Sequence, residues 1–154
     1  MPLFKLSAAK LDDAQAINKL IIPLVEEFIS HEYTEQGNVF VLSSMSEENI
    51  RVNIDKGFEY FIAKDDQRVV GVLAIKESNH LYHCFVDKNY HRQKIGEQLW
   101  NYWLSDAKAE EVTVNSSKYA IKFYESLGFI YSGEVFEKNG IVSYPMIFKR
   151  SFKD

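Results

Sequence analysis

The chain has 154 residues, of which 46% are hydrophobic, 26% charged and 14% aromatic, a composition typical of a globular domain that can bury its own core. Acidic residues outnumber basic residues by 22 to 18, and the formal net charge of −4 excludes an overall basic surface for nucleic acid or an anionic membrane. The length predicts a single domain over residues 1–154. The one cysteine, Cys84, cannot form an internal disulfide, and no run of about 18 apolar residues is present. We therefore expect a cytoplasmic protein with no membrane span.

The N-terminal part of the chain predicts a strand followed by two helices. Residues 3–7 alternate in hydrophobicity like a short strand. Pro23 lies within the helix that follows and predicts a kink or a division there, because proline lacks an N–H and clashes with the preceding turn. Residues 31–38 predict a polar loop, and residues 46–56 predict a second helix that ends at Gly57. The apolar face of the first helix consists of Ile17, Leu20, Ile21, Leu24 and Phe28.

The rest of the chain predicts a sheet with two more helices. One helix begins near Gly96 and the other covers residues 119–127. Asn139 and Gly140 predict a two-residue hairpin turn. The order of elements is typical of an α+β or mixed α/β domain built on one sheet. The predicted strands are residues 60–63, 69–75, 80–86, 111–114, 129–136 and 141–148.

A basic turn lies between the strand at 80–86 and the helix that begins near Gly96. Residues 88–96 contain no acid and three formal positive charges, at Lys88, Arg92 and Lys94. Unpaired N–H groups at the start of a helix, together with the positive end of its dipole, bind anions. The turn therefore predicts an anion-binding site, although an ordinary solvated loop that enters a helix has the same composition.

Two motifs make this prediction more specific. In the first, His91, Lys94 and Gly96 occupy a frame that begins five residues beyond Val86, at the end of a strand. In the second, Asn115 ends a strand and the helix sequence AIKFYESLGF follows over residues 120–129. The two blocks, in this order and separation, resemble the acyl-CoA signature and the later motif of the GNAT superfamily of N-acetyltransferases. The match departs at His91, where the family has Gln or Arg, and at Lys94, where it has Gly, a residue with a freer backbone.

The resemblance implies the GNAT fold, in which a central mixed, mostly antiparallel sheet of about seven strands is flanked by about four helices. The strands ending near Val86 and Val114 would run parallel but splay apart, and the pantetheine arm of acetyl-CoA would enter the gap. The arm would contact the backbone at Phe85 and Val86, with Asn115 beside it and Phe123 packed against it. The pyrophosphate would lie on the turn formed by His91, Arg92, Gln93, Lys94, Ile95, Gly96 and Glu97.

The resemblance also implies an enzyme, an N-acetyltransferase with acetyl-CoA as cosubstrate and no metal. A primary amine would attack the thioester directly. Tyr124 occupies the position of the general acid that protonates the departing thiolate, and its ordinary pKa of about 10 keeps a tyrosine protonated at neutral pH. A backbone N–H near Phe85 would bind the developing oxyanion.

The resemblance also implies a base that receives the amine proton, since several members use a Glu or His six or four residues before the Val that closes the strand, and His80 and Tyr82 occupy those positions here. Alternation along this strand separates its residues into two faces. It places Leu81, His83 and Phe85 on one face. The other face would carry His80, Tyr82, Cys84 and Val86. His80 is our candidate for this base, and it would act directly or through a water molecule. The ordinary pKa of histidine, near 6.5, suits this role. His83 is predicted to be structural, and the two histidines, on opposite faces, could not share a metal ion.

The acceptor is predicted to be an amine of a small molecule or of a peptide. A set of residues between 26 and 35 predicts an acidic acceptor region that suits a cationic amine, although a solvated helix face and loop has the same composition. This set consists of Glu26, Glu27, His31, Glu32 and Glu35. The alternatives are a non-catalytic acyl-CoA-binding or regulatory module, and a protein-interaction domain on the same scaffold. The protein is expected to be a monomer or a homodimer.

Overall fold

The computed structural model describes residues 4–150; Leu3, predicted to start the first strand, lies outside them. Within the described residues there are five α-helices and eight strands. The helices are α1 Ala14–Phe28, α2 Glu35–Ser44, α3 Glu47–Asp55, α4 Ile95–Asp106 and α5 Ile121–Leu127. The strands are β1 Lys5–Ala8, β2 Glu59–Asp65, β3 Arg68–Lys76, β4 His80–Val86, β5 Glu111–Ser116, β6 Ile130–Tyr131, β7 Phe136–Lys138 and β8 Ile141–Lys149.

The strands form one sheet in the order β1-β2-β3-β4-β5-β8-β6, and β7 pairs with β8. Among the described strands, β4 and β5 form the one parallel pair, and the other pairings are antiparallel. The predicted mixed, mostly antiparallel sheet is therefore confirmed, with eight strands rather than about seven and five helices rather than about four.

Helices cover both faces of this sheet and create two hydrophobic cores. On one face, α1 and α3 pack on β2 and β3; Ile17, Ile21 and Val25 of α1 are almost fully buried there. We call this the α1-side core. On the other face, Leu99 and Trp103 of α4 pack on the sheet together with α5, in what we call the α4-side core. None of the helices over residues 4–150 is long and apolar enough to cross a bilayer.

Of the kink or division predicted at Pro23, the division is wrong, because α1 runs without a break from Ala14 to Phe28. Pro23 lies on the exposed side of α1. The carbonyl that loses its helical partner there belongs to Lys19, which is also exposed, so water can replace the missing donor.

The polar stretch predicted as a loop over residues 31–38 contains the start of α2, a helix that the sequence pattern did not indicate. The Thr34 side chain caps it by accepting a hydrogen bond from the Gly37 amide at 3.0 Å. The Thr34 amide in turn donates to the carbonyl of Gly140 at 3.0 Å, at the tip of the β7–β8 hairpin. A Cβ on Gly37 would collide with that same carbonyl. The helix is thus fixed by a contact with a hairpin a hundred residues later in the chain.

The C-terminal strands differ partly from the prediction. Residues 129–136 do not form one strand, because only Ile130–Tyr131 and the start of Phe136–Lys138 pair with β8. The hairpin turn at Asn139 and Gly140 is confirmed, with φ angles of 54° and 80° as a type I′ turn requires.

A β-bulge interrupts the alternation of β4. In the β3–β4 register, Ala74 pairs with His83 but Ile75 pairs with Leu81, so Tyr82 is the extra residue. A bulge of one residue shifts every later side chain to the opposite face.

The predicted alternation of β4 is therefore wrong beyond Tyr82. Tyr82 and Phe85 pack together in the α1-side core, and His83 also lies on that side, with its ring 6.2 Å from the ring of Tyr60. The prediction that His80 and His83 lie on opposite faces of the strand is therefore wrong as well. The residues packing into the α4-side core are Leu81, Cys84 and Val86.

The contact between α2 and the hairpin predicts a large effect of one methyl group. Gly37→Ala should lower the free energy of unfolding by about 1–3 kcal/mol, since backbone rather than a flexible side chain blocks the new Cβ. Urea unfolding measures this loss. Gly133→Ala is the matched control, with its nearest neighbour 3.4 Å from the new Cβ, and should change stability by less than about 0.5 kcal/mol. Equal effects of both substitutions would contradict the contact.

Candidate active site

The central feature of the site is a gap between β4 and β5. The two strands pair only at His80 with Thr113 and at Leu81 with Val114. Beyond these pairs β4 bulges at Tyr82, while β5 continues along β8 as far as residue 116. The carboxyl ends of the two parallel strands therefore separate, as the resemblance implied.

The backbone groups that face this gap belong to Cys84 and Val86. The Asp87 amide donates to the Val70 carbonyl of β3 at 2.9 Å. Successive residues of a strand direct their N–H and C=O groups to opposite edges, so those of Phe85 point toward β3 and those of its two neighbours toward β5. Two amides next to Phe85, those of Cys84 and Val86, therefore face the gap, and either is a candidate for the donor expected near Phe85.

A groove of about 560 Å³ opens on the α4 side of the gap. Its wall contains most of the predicted cofactor residues, at the start of α4 and on α5. Gln93 is not part of the wall, and its carbonyl accepts a hydrogen bond from the Gln98 side chain at 3.1 Å. The predicted residues lining the groove are Val86, His91, Arg92, Lys94, Ile95, Gly96, Glu97 and Phe123.

Free amides at the start of α4 make this groove a site for anions. The first main-chain donor within α4 is Gln98, which donates to the Lys94 carbonyl at 3.0 Å. The amides of residues 95–97 therefore have no helical acceptor, and no side chain caps the helix. A phosphate placed there would receive these N–H groups and the positive end of the helix dipole.

The basic turn contains two residues in left-handed conformations. Lys94, at the start of α4, has φ 59° and ψ 30°, and Arg92 has φ 77°. A left-handed conformation costs a residue other than glycine about 1–2 kcal/mol. The chain thus holds a lysine in a backbone conformation that favours glycine, at an energetic cost, and adds a cationic side chain beside the groove.

Gly96 permits a close contact between α4 and α5. A Cβ at this position would lie 2.8 Å from the ring of Phe123, and both residues line the groove. Phe123 thus packs over the first turn of α4, and its ring forms the floor of the groove.

His91 bonds the end of β4 rather than lying free in the turn. Its Nε2 is 2.9 Å from the Val86 carbonyl oxygen, and because a carbonyl can only accept, Nε2 donates. This contact closes the turn between β4 and α4, which explains a histidine at a position where the family has Gln or Arg.

A cavity of about 150 Å³ lies on the other side of the gap, against α1 and α2. It shares Cys84, Val86 and His91 with the groove, so the two spaces meet between the splayed strands. Asn115 and Phe85, both predicted cofactor contacts, line this cavity.

Tyr124 lies where the cavity meets the gap. It is buried and lines the cavity. Burial, followed by the nearby Cys84 thiol, raises the pKa of Tyr124 well above its usual value of 10. The phenol is therefore protonated throughout the pH range in which enzymes are assayed, as a proton donor must be.

His80, predicted as the base, does not reach this space. It pairs with Thr113 at the closed end of the gap, where its Nδ1 lies 2.8 Å from the Thr113 hydroxyl oxygen, and it is absent from the cavity wall. Burial, with a further contribution from Lys76, lowers its pKa. The location does not support contact between His80 and an amine in the cavity.

His83, predicted to be structural, lines the cavity instead. Only 4% of its surface is exposed, and its Nε2 is buried without a hydrogen-bond partner. Burial lowers its pKa to about 4, against a smaller opposite effect of the Tyr82 carbonyl. The position of His83 depends on the bulge at Tyr82. The pattern of residue types in the sequence gives no signal for that bulge.

The predicted acidic acceptor region does not coincide with the cavity. Glu27 pairs with Lys88 at 2.9 Å. The Glu32 carboxylate accepts hydrogen bonds from the amides of Lys118 and Tyr119, at 2.8 and 3.1 Å, and so joins the end of α1 to the turn before α5. The remaining members of the set, Glu26, His31 and Glu35, are exposed and do not line the cavity.

Across residues 4–150, no three His, Cys, Asp or Glu side chains converge as metal ligands would.

Comparison with known proteins places this arrangement in a family. The profile of the "Acetyltransferase (GNAT) domain" family matches residues 29–150. Sequence comparison with curated proteins gives no match.

Solved structures show the same fold at low identity. A GCN5-related N-acetyltransferase from Rhodopseudomonas palustris is 20% identical, with a TM-score of 0.81 and 97% of each chain covered. The PaiA N-acetyltransferase from Thermoplasma acidophilum, solved in complex with coenzyme A, is 16% identical, with a TM-score of 0.76, and covers 96% of this chain and 99% of its own. A GNAT acetyltransferase from Bacillus cereus is 21% identical, with a TM-score of 0.70, and covers 97% of this chain and 99% of its own.

The protein belongs to the GNAT family of acetyltransferases. The resemblance drawn from the two motifs and the prediction of an N-acetyltransferase enzyme are therefore confirmed.

The strained turn predicts that glycine at position 94 stabilises the fold. Lys94→Gly removes a left-handed cost of about 1–2 kcal/mol and adds about 0.5–1 kcal/mol of backbone entropy lost on folding, so the free energy of unfolding should rise by about 0.5 kcal/mol. Urea unfolding measures the change. Lys122→Gly, within α5, is the control and should lower stability by about 1 kcal/mol. A loss of similar size at both positions would contradict the assigned strain.

Proposed function

We propose that the protein transfers an acetyl group from acetyl-CoA to a primary amine, which attacks the thioester directly. One observation carries this proposal: an anion-binding groove and a second cavity meet at the gap between β4 and β5, and Tyr124 lines the cavity near Cys84, which both spaces share. The arrangement gives two substrates separate spaces and a common point of contact, which suits a direct transfer without a covalent enzyme intermediate.

The residues of the groove fit a coenzyme A molecule. The amides of residues 95–97 would receive the pyrophosphate, with Arg92 and Lys94 adding positive charge. The pantetheine arm would pass along Phe123 and Gly96 toward the gap. An arm amide could share the Val86 carbonyl with His91, because a carbonyl oxygen has two lone pairs. Bound acetyl-CoA supplies the activated acetyl thioester.

Three roles follow for groups at the gap. The amides of Cys84 and Val86 would stabilise the negative charge that develops on the thioester oxygen. Tyr124, kept protonated by burial, would donate its proton to the departing thiolate and regain one from the amine nitrogen, whose N–H becomes acidic as the new C–N bond forms. Asn115, at the exposed end of β5, would contact the pantetheine arm.

We further infer one domain, located in the cytoplasm, that acts as a monomer or homodimer. The support for the location is the single cysteine, Cys84, which cannot form an internal disulfide.

Release of free thiol from acetyl-CoA in the presence of a panel of primary amines tests the proposed function. We expect amine-dependent release at neutral pH and an acetylated amine of the corresponding mass. Tight binding of acetyl-CoA, measured by calorimetry, without release for any amine would favour the acyl-CoA-binding module. Absence of both would favour a protein-interaction domain.

The role of Tyr124 predicts a specific kinetic defect. Tyr124→Phe should lower kcat by about 10²–10⁴-fold, the usual contribution of a positioned acid, while the Kd of acetyl-CoA changes less than about twofold because the phenol does not bind the phosphates. The wild-type rate should show no loss from ionisation of Tyr124 below pH 10, since its pKa is raised. Tyr131→Phe, at an exposed position, is the control. An unchanged kcat for Tyr124→Phe would remove this role.

A further inference from the structure

The cavity beyond the gap has an apolar wall. The side of the cavity that faces away from the groove is formed by α1, α2 and the residues next to these helices. The residues on this side include Leu24, Val25, Ile29, Tyr33, Val41 and Met45. The described wall contains no Asp, Glu, Lys or Arg, and its titratable side chains are the two histidines, the tyrosines and Cys84.

This wall excludes two classes of acceptor. A polyamine would have to leave further ammonium groups in the cavity without a carboxylate, and a free amino acid would have to leave its carboxylate without a cation. An apolar wall instead favours an amine in its neutral form, which is also the form that attacks a thioester.

The volume sets the size of the occupant. A cavity of about 150 Å³ lined by aliphatic and aromatic side chains is large enough for a benzene ring. The wall therefore suits a phenyl group or a branched aliphatic group of similar size, joined to the amine by a short linker that reaches the gap.

His83 supplies the one orphaned buried polar atom in this wall. Its ring is held between aromatic neighbours, with centroid distances of 4.1 Å to Tyr82, 6.0 Å to Phe85 and 6.2 Å to Tyr60. Nε2 of this ring has no hydrogen-bond partner. In the neutral tautomer with the proton on Nδ1, the lone pair of Nε2 accepts a hydrogen bond.

We propose that the acceptor is a small arylalkyl or branched alkyl primary amine, whose apolar body fills the α1–α2 side of the cavity and whose N–H donates to Nε2 of His83. This inference rests on the proposed function and specifies its second substrate. His83 would position the amine so that the nitrogen faces the thioester at the gap, between the Cys84 and Val86 amides and Tyr124. A buried acceptor atom without a partner is costly, and the bound amine provides the missing donor.

A comparison of three amines tests the substrate class. With acetyl-CoA saturating, kcat/KM for 2-phenylethylamine should exceed the values for spermidine and for free phenylalanine by about tenfold or more, the discrimination expected of an apolar pocket that leaves charges unpaired. A higher kcat/KM for spermidine or phenylalanine would overturn the proposal. Failure of all amines to release thiol would instead count against the proposed function itself, so the two failures are distinguishable.

Variants of His83 test the hydrogen bond. His83→Phe keeps a ring of similar shape but removes the acceptor atom, so the KM for 2-phenylethylamine should rise about tenfold or more while the Kd of acetyl-CoA stays within about twofold. His83→Gln, which retains an acceptor oxygen, should recover at least part of the affinity. An unchanged KM for His83→Phe would overturn the role of His83.

A variant that fills the cavity tests the location independently, including the case in which His83→Phe fails to fold. Val41→Phe places a ring in the cavity from α2 and should abolish acetylation of 2-phenylethylamine while acetyl-CoA still binds. Val39→Phe, the same substitution on the same helix at a position 66% exposed, should keep the wild-type rate. Equal activity of the two variants would overturn the assigned cavity.

Discussion

The separation of β4 from β5 is the constraint on which the rest of the site depends. It has two local causes. The bulge at Tyr82 redirects β4, and the antiparallel pairing of β5 with β8 holds β5 on its own course. A parallel pair that stayed together would satisfy its backbone groups internally, and no donor would face a ligand. Because the strands separate after two residue pairs, the backbone groups of Cys84 and Val86 are available to bind a ligand. The groove on the α4 side and the cavity on the α1 side meet at the same opening.

The two sides of this opening have different physical characters. The α4 side offers backbone amides and two cationic side chains, which suits phosphates without requiring a basic protein. The α1 side offers aliphatic and aromatic surface with one imidazole acceptor. The net charge of −4 therefore does not represent the local charge on either side of the opening. Some of the acidic residues that produce this charge make surface contacts, as Glu27 and Glu32 do, and the walls of both spaces consist mainly of other residues.

The fold and the groove at the start of α4 were largely predictable from the sequence, because their signals are local. Helical spacing, the Asn139–Gly140 turn and the motif around Gly96 each depend on neighbours within a few residues. The missed features depend on distant contacts. Helix α2 forms because Gly37 lies against Gly140, Pro23 is tolerated because water can reach the Lys19 carbonyl, and the bulge at Tyr82 is a property of the β3–β4 register. With this extra residue in β4, His83 lies on the α1 side and lines the cavity, whereas His80 does not line it.

In the proposed complex the thioester of acetyl-CoA lies in the gap, with its phosphates on the start of α4. Titration of ¹⁵N-labelled protein with acetyl-CoA, followed by two-dimensional NMR, measures where the ligand binds. We expect the largest amide shifts at Cys84, Val86 and residues 95–97, with little change in β1 or α3. Saturable binding whose shifts lie away from both the gap and the start of α4 would contradict it.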